Sequence, residues 1–407
     1  MQRESTVHCA LPSAFSAQMK PTLPRTVIVL GLVSFLNDAA SEMITPLLPI
    51  FLTATLGGGP AVVGFVEGVA EATSSVLKLV SGRLADRGWN ARRLVMGGYS
   101  VSNGARPLIG LALGWSWVLL LRFFDRVGKG LRTSPRDAMI AGSTKIQLRG
   151  KAFGFHRALD HAGAVVGPLL AFILLGSGFE LQHVFLLSVI PGSCVILLLA
   201  FALPATPSAP APAERAPRLA WHGLDHRVQA LIVGAGGLAL ATTPEVFLVL
   251  WADSHGLKIV WVPLLWAAAS AVKVVVAMPA GHWSDRFGRL PVLALGWTVR
   301  ILVLIALGLI AAGGLTIWTL FLAYAGSLAF TEGAERALIG DFVPPGQRAT
   351  AFGLYHMIAG LLALPGAVLF GALWQWLGQT TAFLTAACLT AVSVAMLLGF
   401  AARGAHP

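Results

Sequence analysis

Charge is what this chain has least of. Of 407 residues only 12% are Asp, Glu, Lys or Arg, about half the share of an ordinary soluble domain. With 56% of residues hydrophobic, that scarcity excludes a soluble globular protein. Cysteine is nearly missing too: Cys9, Cys194 and Cys388 are far apart, which excludes both a disulfide framework and a thiolate metal site. The first 25 or so residues lack the unbroken apolar core of a cleaved signal and read as a disordered cytoplasmic tail. Gly128-Lys129-Gly130 lacks the frame of a phosphate loop and lies inside an apolar run. No ATP site, cofactor site or catalytic constellation is present, so the chain is not expected to be an enzyme. The formal charge is +11, but the basic residues are scattered among short loops with no groove of stacking aromatics, which excludes a nucleic-acid binder.

What remains is a series of apolar runs. A spanning helix needs about 20 such residues, and twelve runs qualify, over residues 26–52, 60–80, 94–113, 117–141, 150–175, 184–203, 228–251, 260–280, 291–311, 317–339, 349–376 and 382–401. The expected fold is an all-α integral membrane protein with 12 transmembrane helices in two six-helix halves. A Pro/Ala-rich segment, PATPSAPAPAERAP from Pro204, has too little apolar bulk to pack. The domains are therefore a tail over 1–25, a first bundle over 26–203, a linker over 204–227, a second bundle over 228–402 and a tail over 403–407. Loop arginines and lysines fall almost entirely on one side, and the other side shows little beyond Lys258; the positive-inside rule then places both termini and the linker in the cytoplasm.

The two bundles are diverged copies. GRLADRGWNARR opens at Gly82 and GHWSDRFGRLP at Gly281, 199 residues apart (281 minus 82), and the offset returns where AFGFHR at Ala152 faces AFGLYH at Ala351. An internal repeat built from apolar segments marks secondary transporters, whose substrate site lies where the halves meet.

The motifs resemble the major facilitator superfamily over essentially the whole length beyond the tail. Gly281, Asp285, Arg286, Gly288 and Arg289 match its loop motif, and Gly82, Asp86 and Arg87 match it with altered spacing, Trp89 standing where Gly is expected. RFFDRVGKG is similar to the buried-arginine motif at Arg122, although Asp125 and Arg126 replace Gln and Gly. Gly163, Gly167 and Pro168 are similar to the Gly-Pro motif of proton antiporters, and Pro46 and Pro49 to the PxxP of 12-span drug exporters. The resemblance implies alternating access, with the two loops acting as a cytoplasmic latch. The residues alone allow another reading, in which these loops set topology and turns, and Gly163 and Gly167 serve helix packing. The loop glycines are expected to permit close packing.

Charges inside the spans cost about 2.5 to 3.5 kcal/mol each at a helix centre, so they must line a wet cavity or neutralise one another. The first six spans hold Asp38, Glu42, Glu67, Glu71, Lys78, Arg106, Arg122, Asp125, Arg126, Lys129, Arg132, Arg136, His156, Arg157, Asp160 and His161. The second six hold fewer: Glu245, Lys273, Arg300, Glu332, Glu335, Arg336 and His356. Helical spacing pairs Asp38 with Glu42, Glu67 with Glu71, His156 with Asp160 and Arg157 with His161 on single faces. Asp38, midway through the first span, is the leading proton-coupling candidate, since loss of water there disfavours a fixed charge; its alternative is a salt bridge to Arg126 or Arg106. Glu42, Glu67, Glu71 and Asp160 are further coupling candidates. Arg106, Arg122, Asp125, Arg126, Lys129, His156, Arg157, Glu245 and Glu332 are candidates for the cavity wall, with Asp125 also read as a structural ion-pair centre.

The expected function is proton-coupled export of a small molecule by a monomer in the bacterial inner membrane, with the lipid bilayer and protons as its other partners. The rivals are proton-linked uptake of a polar or anionic metabolite, favoured by the basic fourth helix, metal or metalloid export through His156, Asp160 and Glu42, and a non-transporting receptor or scaffold.

Overall fold

The computed structural model describes residues 23–145, 148–204, 226–311, 313–342 and 348–403. Cys9, nearly all of the N-terminal tail and the proposed linker lie outside them, as do the side chains of Asp86, Arg336 and Arg348.

Fifteen α-helices make twelve crossings among the described residues. The first half comprises α1 (Arg25–Glu42), α2 (Leu48–Ile50), α3 (Pro60–Asp86), α4 (Ala91–Leu108), α5 (Trp115–Ser143), α6 (Arg149–Gly176), α7 (Leu181–Leu187) and α8 (Val189–Ala202). The second comprises α9 (His226–Ala241), α10 (Glu245–Ser254), α11 (Val262–Phe287), α12 (Arg289–Leu309), α13 (Leu315–Phe342), α14 (Arg348–Leu377) and α15 (Gln379–Arg403). The first crossing of each half is broken at a Thr-Pro step. A turn around Pro46 separates α1 from α2, which continues as a π-helix over Phe51–Thr55, and Thr243-Pro244 separates α9 from α10. The expectation of one continuous helix over each run is corrected there. Proline removes a backbone donor and clashes with the preceding turn. Tyr324 repairs the second break, its hydroxyl donating to the Thr243 carbonyl at 2.7 Å.

Side chains such as Phe201, Met278, Val275 and Leu302 lie exposed on the outside of the helices, an apolar surface far too continuous for water. Inside, helices meet where side chains are smallest, as membrane packing demands. The halves join along α3 and α14, α6 and α11, and α2 and α10. A Cβ on Gly64 would collide with the Ala367 carbonyl, and one on Gly371 would lie 2.5 Å from the Pro60 carbonyl. Backbone Ala61 donates to Gln375 Oε1 at 3.2 Å, and Trp266 Nε1 donates to Glu42 Oε2 at 2.8 Å. These cross-half contacts lie toward the Gly57 and Gly176 loops. The halves are therefore zipped on that side, and α3 and α14 stay in contact further along, where Gly68 meets Leu364 and Gly360 meets Ser75.

Candidate functional site

Three arginines of the first half, Arg106, Arg122 and Arg126, converge on Asp125. Helices α4 and α5 approach closely because Gly98 and Gly128 face one another, bringing basic side chains from both to one point. Asp125, 1% exposed, accepts from Arg106 Nε at 2.8 Å and Arg122 Nη1 at 3.3 Å, with Arg126 Nε at 3.7 Å. Arg122 also donates to Glu67 Oε1 on α3 from Nε at 3.1 Å and Nη2 at 2.9 Å. Arg106 Nη1 reaches the Asn37 carbonyl and side chain on α1 at 3.2 and 3.0 Å. One carboxylate among three guanidiniums thus ties four helices together, the ion-pair role read for Asp125. Arg106 and Arg126 are held by Asp125, so neither forms the salt bridge to Asp38 that the sequence allowed.

Asp38 instead meets Asp160. Helices α1 and α6 pack tightly, since a Cβ on Gly163 or Gly167 would collide with the Phe35 or Ala39 carbonyl. The two carboxyl groups then face each other within hydrogen-bonding contact. Asn37 Nδ2 donates to Asp38 Oδ1 at 3.0 Å, and Ser34 Oγ to Asp160 Oδ1 at 2.5 Å. The nearest cations are Arg157, 3.7 Å from Asp160, Arg136 toward Asp160, and Lys129 toward Asp38. His156 shares a helix face with Asp160, but the hydrogen bond to Asp160 Oδ1 comes from Ser34, and the buried His156 Nε2 has no partner. Nor do His156, Asp160 and Glu42 form a metal set; no three His, Cys, Asp or Glu side chains converge among the described residues.

Between the halves lies a cavity of about 380 Å³. Glu67, Glu71 and Lys78 of α3 line it from the first half, and Arg300, Glu335 and His356 from α12, α13 and α14 of the second. The shared face read for Glu67 and Glu71 is thus the wall of this space. Arg106, Arg122, Asp125, Arg126, Lys129, His156 and Arg157 do not line it: the Asp125 network draws the first four into the bundle, and Arg157 points outward, its side chain 63% exposed. Glu245 is paired with Lys273 at 2.6 Å. Glu332 is exposed and off the wall, whereas Glu335, one turn on, is on it and accepts from Trp297 Nε1 at 3.0 Å. Arg300 and Glu335 were visible in the sequence only as span charges, with no signal there of their place on the wall.

The repeated loops differ from their expected geometry. Gly82 and Gly281 lie within α3 and α11, and neither is tightly packed: a Cβ would meet Ser134 at 3.5 Å in the first and nothing within 4 Å in the second. The turns are made by Gly88 (φ 89°) and Gly288 (φ 92°), in the left-handed region where a side chain is strained. The first loop therefore keeps its turn glycine, one residue before Trp89. Arg289 pairs with Asp285 and, at 3.2 Å, with Asp341 on α13, Arg286 stacks on the Phe287 ring at 5.4 Å, and Arg87 is exposed. All the described ion pairs of the second loop stay within its own half. Pro168 is buried in α6 one residue after Gly167.

This architecture has close counterparts. The chain is 30% identical over 385 residues to the MFS-type transporter MJ1317 of Methanocaldococcus jannaschii, covering 92% of this chain and 95% of that protein. It is 25% identical over 351 residues to the multidrug resistance protein MdtH of Aeromonas hydrophila, covering 85% and 87%. Among solved structures, the inward-facing, occupied form of a bacterial homolog to the human lysosomal transporter Spinster superposes with TM-score 0.76 at 19% identity, over 92% of this chain and 96% of that one. The nucleoside transporter NupG, as its D323A mutant, gives 0.77 at 13%, over 92% and 99%. A family model described as Major Facilitator Superfamily matches residues 30–333 and 264–407, and with the duplicated broken first crossings, the paired loops and a cavity between the halves, this chain is a multi-pass membrane transporter belonging to that superfamily.

Proposed function

We propose that this transporter is a proton-coupled exporter of a small molecule, with Asp38 and Asp160 as the proton-carrying pair. The observation that carries the reading is the contact between their carboxyl groups. Two carboxylates this close cannot both hold a charge cheaply, so the pair takes up and releases a proton as a unit. Lys129, Arg136 and Arg157 surround the pair and Glu42 lies nearby on its own helix, so the proton balance depends on how these groups move as α1 and α6 shift. Similarity to proteins named for multidrug resistance supports export as the direction. The basic fourth crossing, which favoured uptake of an anion, is occupied by Asp125 and Glu67.

In the same reading the arginine-rich face is cytoplasmic, with both termini and the 204–227 linker on that side of a bacterial inner membrane, and the contacts on the Gly57 side support an inward-open state. The repeated loops latch the cytoplasmic side when the halves rock the other way.

A deletion and an overexpressing strain grown across a toxic-compound panel identify the cargo. In proteoliposomes, Asp38→Asn and Asp160→Asn are each expected to abolish accumulation driven by a pH gradient while leaving downhill exchange measurable. Accumulation against a gradient with normal pH dependence in both variants would remove the pair from the mechanism.

A further inference from the structure

We propose that Arg300 is the receptor for an anionic group, a carboxylate or phosphate, on the transported molecule. This deepens the export reading by naming the class of cargo and rests on it. Arg300 lies on the cavity wall yet is only 4% exposed. Its Nη2 donates to Thr331 Oγ1 at 2.6 Å, its Nε has no acceptor, and it forms no ion pair among the described residues. One neutral hydroxyl leaves most of a guanidinium's five donors and all of its charge unanswered, an arrangement that buried arginines avoid. None of the carboxylates on this wall pairs with Arg300 among the described residues: Glu67 is paired with Arg122, Glu71 accepts from Ser75 and Glu335 from Trp297, while Glu245 is paired with Lys273.

The first half supplies an internal control. A Cβ on Gly98 would lie 2.9 Å from the Arg132 side chain and one on Gly296 2.5 Å from the Thr331 side chain, so at this crossing Ser102 stands where Arg300 does, at an offset of 198 (300 minus 102), and Arg132 where Thr331 does, at 199 (331 minus 132). The same arginine-to-hydroxyl bond appears in both halves with its ends exchanged: Arg132 Nη1 donates to Ser102 Oγ at 2.6 Å. Arg132, however, is covered by the Tyr99 ring at 4.4 Å and lies within the field of Asp125. At the position of Asp125 the second half has Tyr324, 199 residues on, whose hydroxyl is turned to the Thr243 carbonyl. The second half has an arginine in this bond, no carboxylate at the Asp125 position, and a site open to a cavity of metabolite size. The missing anion is then brought by the cargo, and Arg can grip it through two parallel bonds. Export of an anion against entry of a proton also moves charge in the direction that an inside-negative potential favours.

The test uses the full-length protein in phosphatidylcholine nanodiscs, with benzoate and phenyl phosphate as anionic probes, benzamide as the neutral isostere, and thermal unfolding as the readout. Wild type should be stabilised by the anions and not by benzamide. Arg300→Gln should weaken apparent anion binding about tenfold or more. Tyr324→Asp, which restores the first half's carboxylate, should suppress the anion response without removing Arg300, so a folding failure of Arg300→Gln leaves a second measurement standing. Competition by added phosphatidylglycerol would assign the anionic group to a lipid headgroup, and its absence to a soluble molecule. Gradient-driven accumulation by Asp38→Asn, measured alongside, reports on the proton pair, so its failure is distinguished from failure of this site. Equal responses to benzoate and benzamide, no anion response in wild type, or an unchanged response in both Arg300→Gln and Tyr324→Asp would overturn the assignment.

Discussion

The two halves share a fold and differ in chemistry. All six crossings of the second half contain stretches apolar enough to span a membrane on composition alone, whereas only the last two of the first half do. Along α5 the first half places Arg122, Asp125, Arg126, Lys129 and Arg132 where α13 has Phe321, Tyr324, Ala325, Leu328 and Thr331. Phe321, Tyr324 and Ala325 are buried in the apolar core, just as Arg122, Asp125 and Arg126 are buried in the charged one. The close approaches nevertheless recur: a Cβ on Gly167 would collide with the Ala39 carbonyl of α1, and one on Gly366, 199 residues on, with the Leu240 carbonyl of α9. Small residues at crossings are thus what the architecture requires. Charges are an addition to one copy, held there by mutual neutralisation.

The halves should diverge most at Asp125 and its counterpart. Asp125→Ala leaves Arg106, Arg122 and Arg126 without their shared carboxylate, and losing one member of a buried ionic network costs about 3 to 5 kcal/mol. Tyr324→Phe, at the matching position, removes one hydrogen bond to a carbonyl, worth about 0.5 to 1.5 kcal/mol. Thermal unfolding in detergent and yield of monodisperse protein should therefore collapse for the first and fall slightly for the second. Equal losses would mean that the charged network is no more structural than the apolar core opposite it.

Where the halves are alike, damage should be equal. Gly167→Val and Gly366→Val each push a side chain into a first-helix carbonyl, an overpacking cost of about 1 to 3 kcal/mol. Both should lower stability by similar amounts in the same unfolding assay. A large loss for Gly167→Val alone would point to a role for the Gly163–Gly167 face in transport beyond packing.

The twelve crossings and the repeat were legible because apolar length and a duplicated loop are written locally. Partnership across the bundle was not. Sequence spacing shows only neighbours on one helix, so His156 was paired with Asp160, while the hydrogen bond to Asp160 comes from Ser34, 126 residues away. The same blindness hid the Asp38–Asp160 contact and left Arg106 and Arg126 on an expected cavity wall. Helix ends also ran past the apolar runs, since α3 and α11 continue to Asp86 and Phe287, where backbone hydrogen bonding persists outside the hydrocarbon. Broken first crossings followed from Pro46 and Pro244, residues visible in the sequence whose effect depends on Tyr324 and other neighbours to satisfy the freed backbone.

The smallest expected effect tests whether the repeated loops do more than turn the chain. Arg289 shares its guanidinium between Asp285 and Asp341, both more than half exposed, and exposed pairs contribute about 0 to 1 kcal/mol. Asp285→Ala should therefore leave unfolding temperature almost unchanged. If the loop also latches the alternate state, the same variant will slow turnover and raise labelling of cysteines placed on the arginine-rich face, because this pair stays within one half here and only the other state could engage it across the gap. Gly88 and Gly288 make equivalent turns, so an effect confined to the second loop would have to come from the Asp285–Arg289–Asp341 cluster. Unchanged labelling and turnover would reduce both loops to topology signals.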